Sequence, residues 1–403
     1  MKILFKKCSS VAFGVAALAL NLSAAAPAQV GSFFTNSPMS TARMEQLAIL
    51  LRNGKVLVAG GQGAGLGHLA SAELYDPTNG TWTPTGSMKH ARTYPSATLL
   101  PDGKVFVVGG FNNIMTNGAV LRGGHPNLAG LLLPTRAELY DPTTGQWVET
   151  GELNTIRHPD TATLLPNGKV LVTGSAGTGD GVCIAEIYDP ASGTWTQTSP
   201  MTGGFTPTSA PLLFNGQVLL FGGFPHDNPH NADIYNPTDG TWSAITNAMR
   251  LFPTEGHTIT LLSNGKVLFL AKPQPAYSVF TAAGIQHKDF SGVHLYDLAA
   301  GTVADGAPLA EPRSGHTATL LLDGQVLVVG GASPGLGQNG AWSSGELYNP
   351  ISGRWTQVAN HLAAGRTFHS ATLLPNGKVL IAGGMPGLSS TELYDPGETA
   401  PLR

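Results

Sequence analysis

Residues 366–384 read RTFHSATLLPNGKVLIAGG and residues 390–396 read STELYDP. Ser370 to Leu374 is apolar and β-prone, and Pro375-Asn376-Gly377 is a tight reversal. Val379 to Ala382 is the continuous apolar run expected of a strand covered on both faces. Gly383-Gly384 lets backbone approach where a side chain would clash, and Thr391 to Tyr394 reads as a third strand. The unit recurs along the chain. Its turn glycines are Gly54, Gly103, Gly168, Gly216, Gly265, Gly324 and Gly377; its tyrosines are Tyr75, Tyr140, Tyr188, Tyr235, Tyr296, Tyr348 and Tyr394. Complete units add an Asp-Pro turn, as at Asp141-Pro142, and a fourth strand bearing Trp82, Trp147, Trp195, Trp242 or Trp355. Such four-stranded units cannot bury their own faces, so they must pack against one another. Seven copies predict an all-β protein, a seven-bladed β-propeller of four-stranded blades.

The two ends of the chain predict how the ring closes. After Asp395-Pro396 only seven residues remain, too few for a fourth strand and its turn. Gly31 to Met39 aligns residue for residue with Gly193 to Met201, with Phe33 at the tryptophan position. The N-terminal strand is therefore expected to complete the last blade and hide its open edge.

Paired glycines followed by a tyrosine and then a tryptophan resemble kelch repeats, over essentially the whole mature chain. That resemblance implies the propeller and leaves the chemistry open. It extends to the secreted galactose oxidase and glyoxal oxidase group. There it implies an axial copper held by two histidines and two tyrosines, one tyrosine cross-linked to a cysteine. No adjacent Tyr-His pair occurs here, and Cys183 precedes the third strand of blade three instead of lying on an inner strand. The sequence accordingly calls for no cofactor and no metal site, although three imidazoles from neighbouring blades keep a zinc or copper alternative open.

Residues 1–28 read as a signal peptide: Lys2, Lys6 and Lys7, an apolar run from Val11 to Leu22, and Ala26-Pro27-Ala28 before a mature start near Gln29. Residues 29–403 then form the propeller, secreted or periplasmic, with no integral membrane segment. Cleavage carries the formal charge from −3 to −6 and leaves no basic stripe, which argues against a nucleic-acid partner. Cys8 leaves with the signal, so Cys183 has no partner for an internal disulfide. A closed ring needs no second chain to fold, and the expectation is a monomer.

Loop lengths predict which face works. The Asn-Gly and Asp-Pro turns share one face and hardly vary. The loops of variable length (residues 111–136, 272–293 and 332–345) share the other, with the links into the first strands. Three aromatics outside the repeat, Tyr94, Tyr277 and Trp342, fall there. At the start of the first strands stand Arg43, Arg92, Arg157, Arg313 and Arg366, and three residues after this position come His257, His316 and His369. Convergence on the axis would suit a ligand bearing carboxylates; the alternative is that the pairs simply hydrogen-bond within the wall. Glu45 and Glu255 close by are candidate acids or bases if buried. The sequence favours a non-catalytic module recognising a carbohydrate or an extracellular protein. The alternative is a carbohydrate-active enzyme (an epimerase, lyase or oxidoreductase) using the axial Arg/His/Glu set.

Overall fold

The structure, a computed structural model, describes residues 30–65, 67–111, 136–155, 158–175, 183–202, 206–223, 232–245, 258–271, 277–281, 284–288, 292–333 and 340–397. Seven four-stranded antiparallel sheets follow one another along the chain. Blade one comprises Leu47–Leu50, Val56–Ala59, Ala72–Asp76 and Thr81–Thr85, innermost strand first. At six of the seven junctions the first strands of successive blades lie against one another, which places them around the axis. Second strands are fully buried, as in Val56–Ala59, Val105–Val108 and Val326–Val329. Blade five carries an additional hairpin, Tyr277–Thr281 with Gly284–Lys288, between its second and third strands.

The last blade takes Ser370–Leu373, Val379–Ala382 and Thr391–Asp395 from the C-terminal end and Ser32–Asn36 from the other. Phe33 pairs with Tyr394, their rings 5.6 Å apart, and Phe33 is buried. In five other blades the same pairing joins tyrosine to tryptophan at 4.8–5.0 Å, as Tyr75 with Trp82 and Tyr235 with Trp242. Phe33 thus does a tryptophan's work, as its alignment predicts. Blade five has Val303 opposite Tyr296.

Burial follows the blade interfaces. Seven apolar clusters form, each from two adjacent blades, including one that joins the last blade to the first through Leu374, Leu380, Val56, Val58 and Tyr75. The glycine pair exists for backbone contact between blades. A Cβ on Gly60 would lie 2.6 Å from the carbonyl oxygen of Arg92 in the next blade, and the Gly61 N–H donates to that same oxygen at 2.7 Å. Both glycines have positive φ, 69° and 89°, a region that side chains disfavour.

Candidate functional site

The arginines come first, because the sequence placed them at the centre. Arg43, Arg92, Arg313 and Arg366 are fully buried. Each guanidinium is spent inside its own blade. Arg43 donates to the carbonyls of Gly60 and Ser71 and pairs with Glu73 at 2.9 Å. Arg366 repeats this with Gly383, Ser390 and Glu392, and Arg313 with Gly330, Ser344 and Glu346. Arg92 reaches Gly109, Arg136 and Glu138. The carboxylates in turn accept backbone N–H groups from the link between blades: Ser40 and Thr41 on Glu73, Lys89 and His90 on Glu138. Burial pulls these guanidinium pKa values down while the neighbouring carboxylates pull them up. The expectation of a basic ring facing a ligand is therefore corrected. A carboxylate ligand would have to displace an internal one from each arginine. Arg157 lies outside the described residues.

The histidines also bond within the wall. His369 Nε2 lies 2.9 Å from Thr317 Oγ1 of the preceding blade, and His316 Nε2 lies 2.9 Å from Thr258 Oγ1 of the blade before it. Gln46 fills the equivalent place in blade one, donating to Ser370 Oγ and the Ala382 carbonyl. These side chains staple one inner strand to the next. His257 lies outside the described residues.

Burial, with Arg366, His316 and Arg313 nearby, pushes the His369 imidazole down to about 3. An imidazole with a depressed pKa is protonated more readily in the unfolded chain, whose ordinary value is 6.5. Its contribution to stability is therefore complete above about pH 6.5 and is lost as pH falls towards about 3. His369→Gln, the residue that blade one uses, should flatten the fall in urea midpoint between pH 6 and pH 4. An unchanged slope would contradict the assignment.

Two of the residues two places after the arginines, Tyr94 and Phe368, face solvent, and Glu45 beside them is half-buried. Glu45, Tyr94 and Phe368 have positive φ of 58°, 55° and 53°, and Gly315 at the same place in blade six has 66°. Non-glycine residues there cost about 1–3 kcal/mol each and persist only where their surroundings fix them. Here a backbone chain fixes them: Phe368 N–H donates to the Gly315 carbonyl at 3.0 Å, Glu45 N–H to Phe368 at 2.9 Å, and Tyr94 N–H to Glu45 at 3.0 Å. The chain runs from blade six through seven and one to two, at the end of the inner strands where each blade begins.

Three side chains are thereby brought together at the axial mouth. Tyr94 Oη donates to Glu45 Oε1 at 2.7 Å. The Tyr94 ring stands edge-on to Phe368 (6.2 Å, 88°) and to Phe111 (6.5 Å, 84°). Tyr94 is 43% exposed and Phe368 38%. Desolvation raises the Glu45 carboxyl above its ordinary value, opposed by the Tyr94 hydrogen bond. The phenol is pushed up by burial of its hydroxyl and by Glu45, so it stays a donor.

Of the other expected site residues, Trp342 lies in blade six and donates its indole N–H to the Pro312 carbonyl at 3.1 Å. Tyr277 starts the extra hairpin, its side chain outside the described residues. Sequence reasoning singled out Tyr94 and Glu45 but missed Phe368. The signal was present: Glu45, Tyr94, Gly315 and Phe368 share one register, and a glycine in one copy hints at a left-handed position in all.

Residues 48–89, nearly the whole of blade one, match the Kelch motif. The chain is a kelch-repeat β-propeller. It is 28% identical over 118 residues to galactose oxidase of Gibberella zeae, covering 29% of this chain and 12% of that oxidase. It is 34% identical over 100 residues to an F-box/kelch-repeat protein of Arabidopsis thaliana, 22% of this chain and 20% of that protein. The match thus spans a fifth or less of those curated relatives. Among solved structures, a fungal alcohol oxidase of the AA5 family in complex with copper superposes with TM-score 0.67 at 18% identity, over 93% of this chain and 79% of that one. YjhT superposes with TM-score 0.53 at 15% identity, over 80% and 99%. At such identities these likenesses speak for the fold: a galactose-oxidase-like propeller.

The copper set implied by that resemblance does not fit the described residues. His316 and His369 direct Nε2 at threonine hydroxyls within the wall, and the tyrosine at the axial mouth gives its hydroxyl to Glu45. The repeat tyrosines stand on third strands, paired with their fourth-strand partners.

Proposed function

We propose that this propeller is an exported binding module that recognises a carbohydrate at its axial mouth without transforming it. The observation that carries the proposal is the arc of three strained residues, which fixes Glu45, Tyr94 and Phe368 side by side at the surface. Backbone strain held by the fold is characteristic of sites that must be preorganised. Exposed rings offer apolar faces to the C–H faces of a sugar, and the Glu45 carboxylate accepts hydroxyl hydrogen bonds. Export through residues 1–28 to the periplasm or beyond belongs to the same proposal.

One observation favours the enzyme reading: a carboxyl held above its ordinary value in contact with a phenol resembles a general acid. The cluster supplies one carboxylate, whereas hydrolysis at a glycosidic bond commonly uses two. Binding without turnover is the simpler assignment.

A glycan array followed by calorimetry on the best ligand tests it. Tyr94→Ala and Phe368→Ala should each weaken binding by about tenfold or more, as loss of an aromatic anchor does elsewhere. Unchanged affinity in both would refute the site, and conversion of the bound sugar would replace this reading with the enzymatic one.

A further inference from the structure

The proposed mouth carries a charge that nothing in its described surroundings balances. Glu45 accepts from Tyr94, and its displaced pKa traces to desolvation and to that hydrogen bond, with no contribution from a neighbouring cation. The repeat elsewhere treats buried carboxylates differently: Glu73, Glu138, Glu346 and Glu392 each have an arginine within 3.0 Å. Glu45 stands in the register beside those arginines, yet every one of them is committed to its own third-strand glutamate.

The aromatic rings of the mouth point the same way. Tyr94, whose hydroxyl holds Glu45, stands nearly perpendicular to Phe111 and to Phe368, so the acid lies against one ring of an aromatic cluster. An aromatic face carries negative electrostatic potential, and several faces beside a carboxylate make a receptor for an organic cation. The chain as a whole is net negative, which favours approach of a cation and opposes that of an acidic sugar.

We infer that the ligand recognised at Glu45, Tyr94, Phe111 and Phe368 presents a protonated or quaternary amine, and that within the carbohydrate reading on which this rests it is an amino sugar with its amine free. The ammonium sits against the Glu45 carboxylate and between the ring faces, while the pyranose ring lies over Phe368. An N-acetylated sugar keeps the pyranose and loses the charge. A uronic acid brings a second negative charge beside Glu45 and is excluded.

Four probes separate the parts of this inference: a glucosamine oligomer, its N-acetylated counterpart, a glucose oligomer of equal length, and choline. Calorimetry at low salt on the full mature chain should show the glucosamine oligomer binding at least about tenfold tighter than either neutral oligomer. Glu45→Gln should erase that preference, bringing the glucosamine oligomer to the level of the neutral oligomers. Phe368→Ala, which keeps the carboxylate, should weaken all the oligomers and serves as the second variant should Glu45→Gln melt early. Equal binding of the three oligomers, untouched by Glu45→Gln, would overturn the cationic ligand and leave the carbohydrate reading standing. Binding of choline with no oligomer bound would keep the ammonium site and remove the carbohydrate. Binding of none of the four would remove both.

Discussion

Removing residues 30–39 should lower the melting temperature by roughly 10 °C or more, the largest effect expected of any short deletion in this chain. Ser32–Asn36 is the outer strand of the last blade and pairs along its length with Thr391–Asp395. Phe33 is buried against Leu347, Val358, Leu362 and Tyr394, and Met39 is buried between the last blade and the first. Losing a buried phenylalanine and a buried methionine costs about 2–5 kcal/mol each, before counting the exposed strand edge. Asn360 adds specificity: its amide accepts from Phe33 N–H and donates to the Phe33 carbonyl. Differential scanning calorimetry of the deletion reads the loss. A synthetic peptide of residues 30–39 should restore part of it by adding the missing strand. A melt within 2 °C of the parent would show that the ring does not depend on this closure.

Arg366→Ala should destabilise the protein by about 3–5 kcal/mol, because it strands a buried charge. Glu392 would keep a carboxylate inside the wall with its 2.5 Å partner gone, and the Gly383 and Ser390 carbonyls would each lose the guanidinium as a donor. Arg366→Met with Glu392→Gln should be markedly more stable than Arg366→Ala alone, since no unpaired ion remains. Below its own melting temperature the double variant should still bind glycan. Urea titration gives the stabilities and calorimetry the binding. A variant as stable as the parent but unable to bind would return these arginines to the ligand site.

The architecture was legible because repetition multiplies a weak local signal. One Asn-Gly turn and one Tyr strand prove little, but seven in register leave few alternatives to a ring. Closure was legible because Phe33 occupies a tryptophan's place in an aligned segment. The arginines were harder to interpret, since a repeated charge looks the same whether it lines a funnel or pairs inside a wall. A discriminating pattern was present: the five blades with Arg43, Arg92, Arg157, Arg313 and Arg366 also carry Glu73, Glu138, Glu186, Glu346 and Glu392 on the third strand. Blades four and five lack the arginine and have Asp233 and His294 there. Blade five thus loses both partners together, the mark of an internal pair, while blade four keeps a shorter carboxylate that accepts from Thr202.

The axial arc was legible only in part. Tyr94 and Glu45 stand out by residue type, whereas their left-handed backbone has no signature in a single copy. Gly315 tolerates that conformation without strain, but Phe368 adopts it only because neighbouring blades hold its N–H and carbonyl. Side-chain proximity across blades forty-nine residues apart, as between Glu45 and Tyr94, is a property of the closed ring.

The opposite end of the axis supplies the control for the central claim. Phe214 and Leu322 lie in the turns between first and second strands and are 74% and 68% exposed, more so than either ring at the mouth. Affinity for the best array glycan should be compared in Tyr94→Ala/Phe368→Ala and in Phe214→Ala/Leu322→Ala. The account predicts that the first pair loses binding by two orders of magnitude or so while the second binds like the parent. Loss confined to Phe214→Ala/Leu322→Ala would place the working surface on the other face and contradict it.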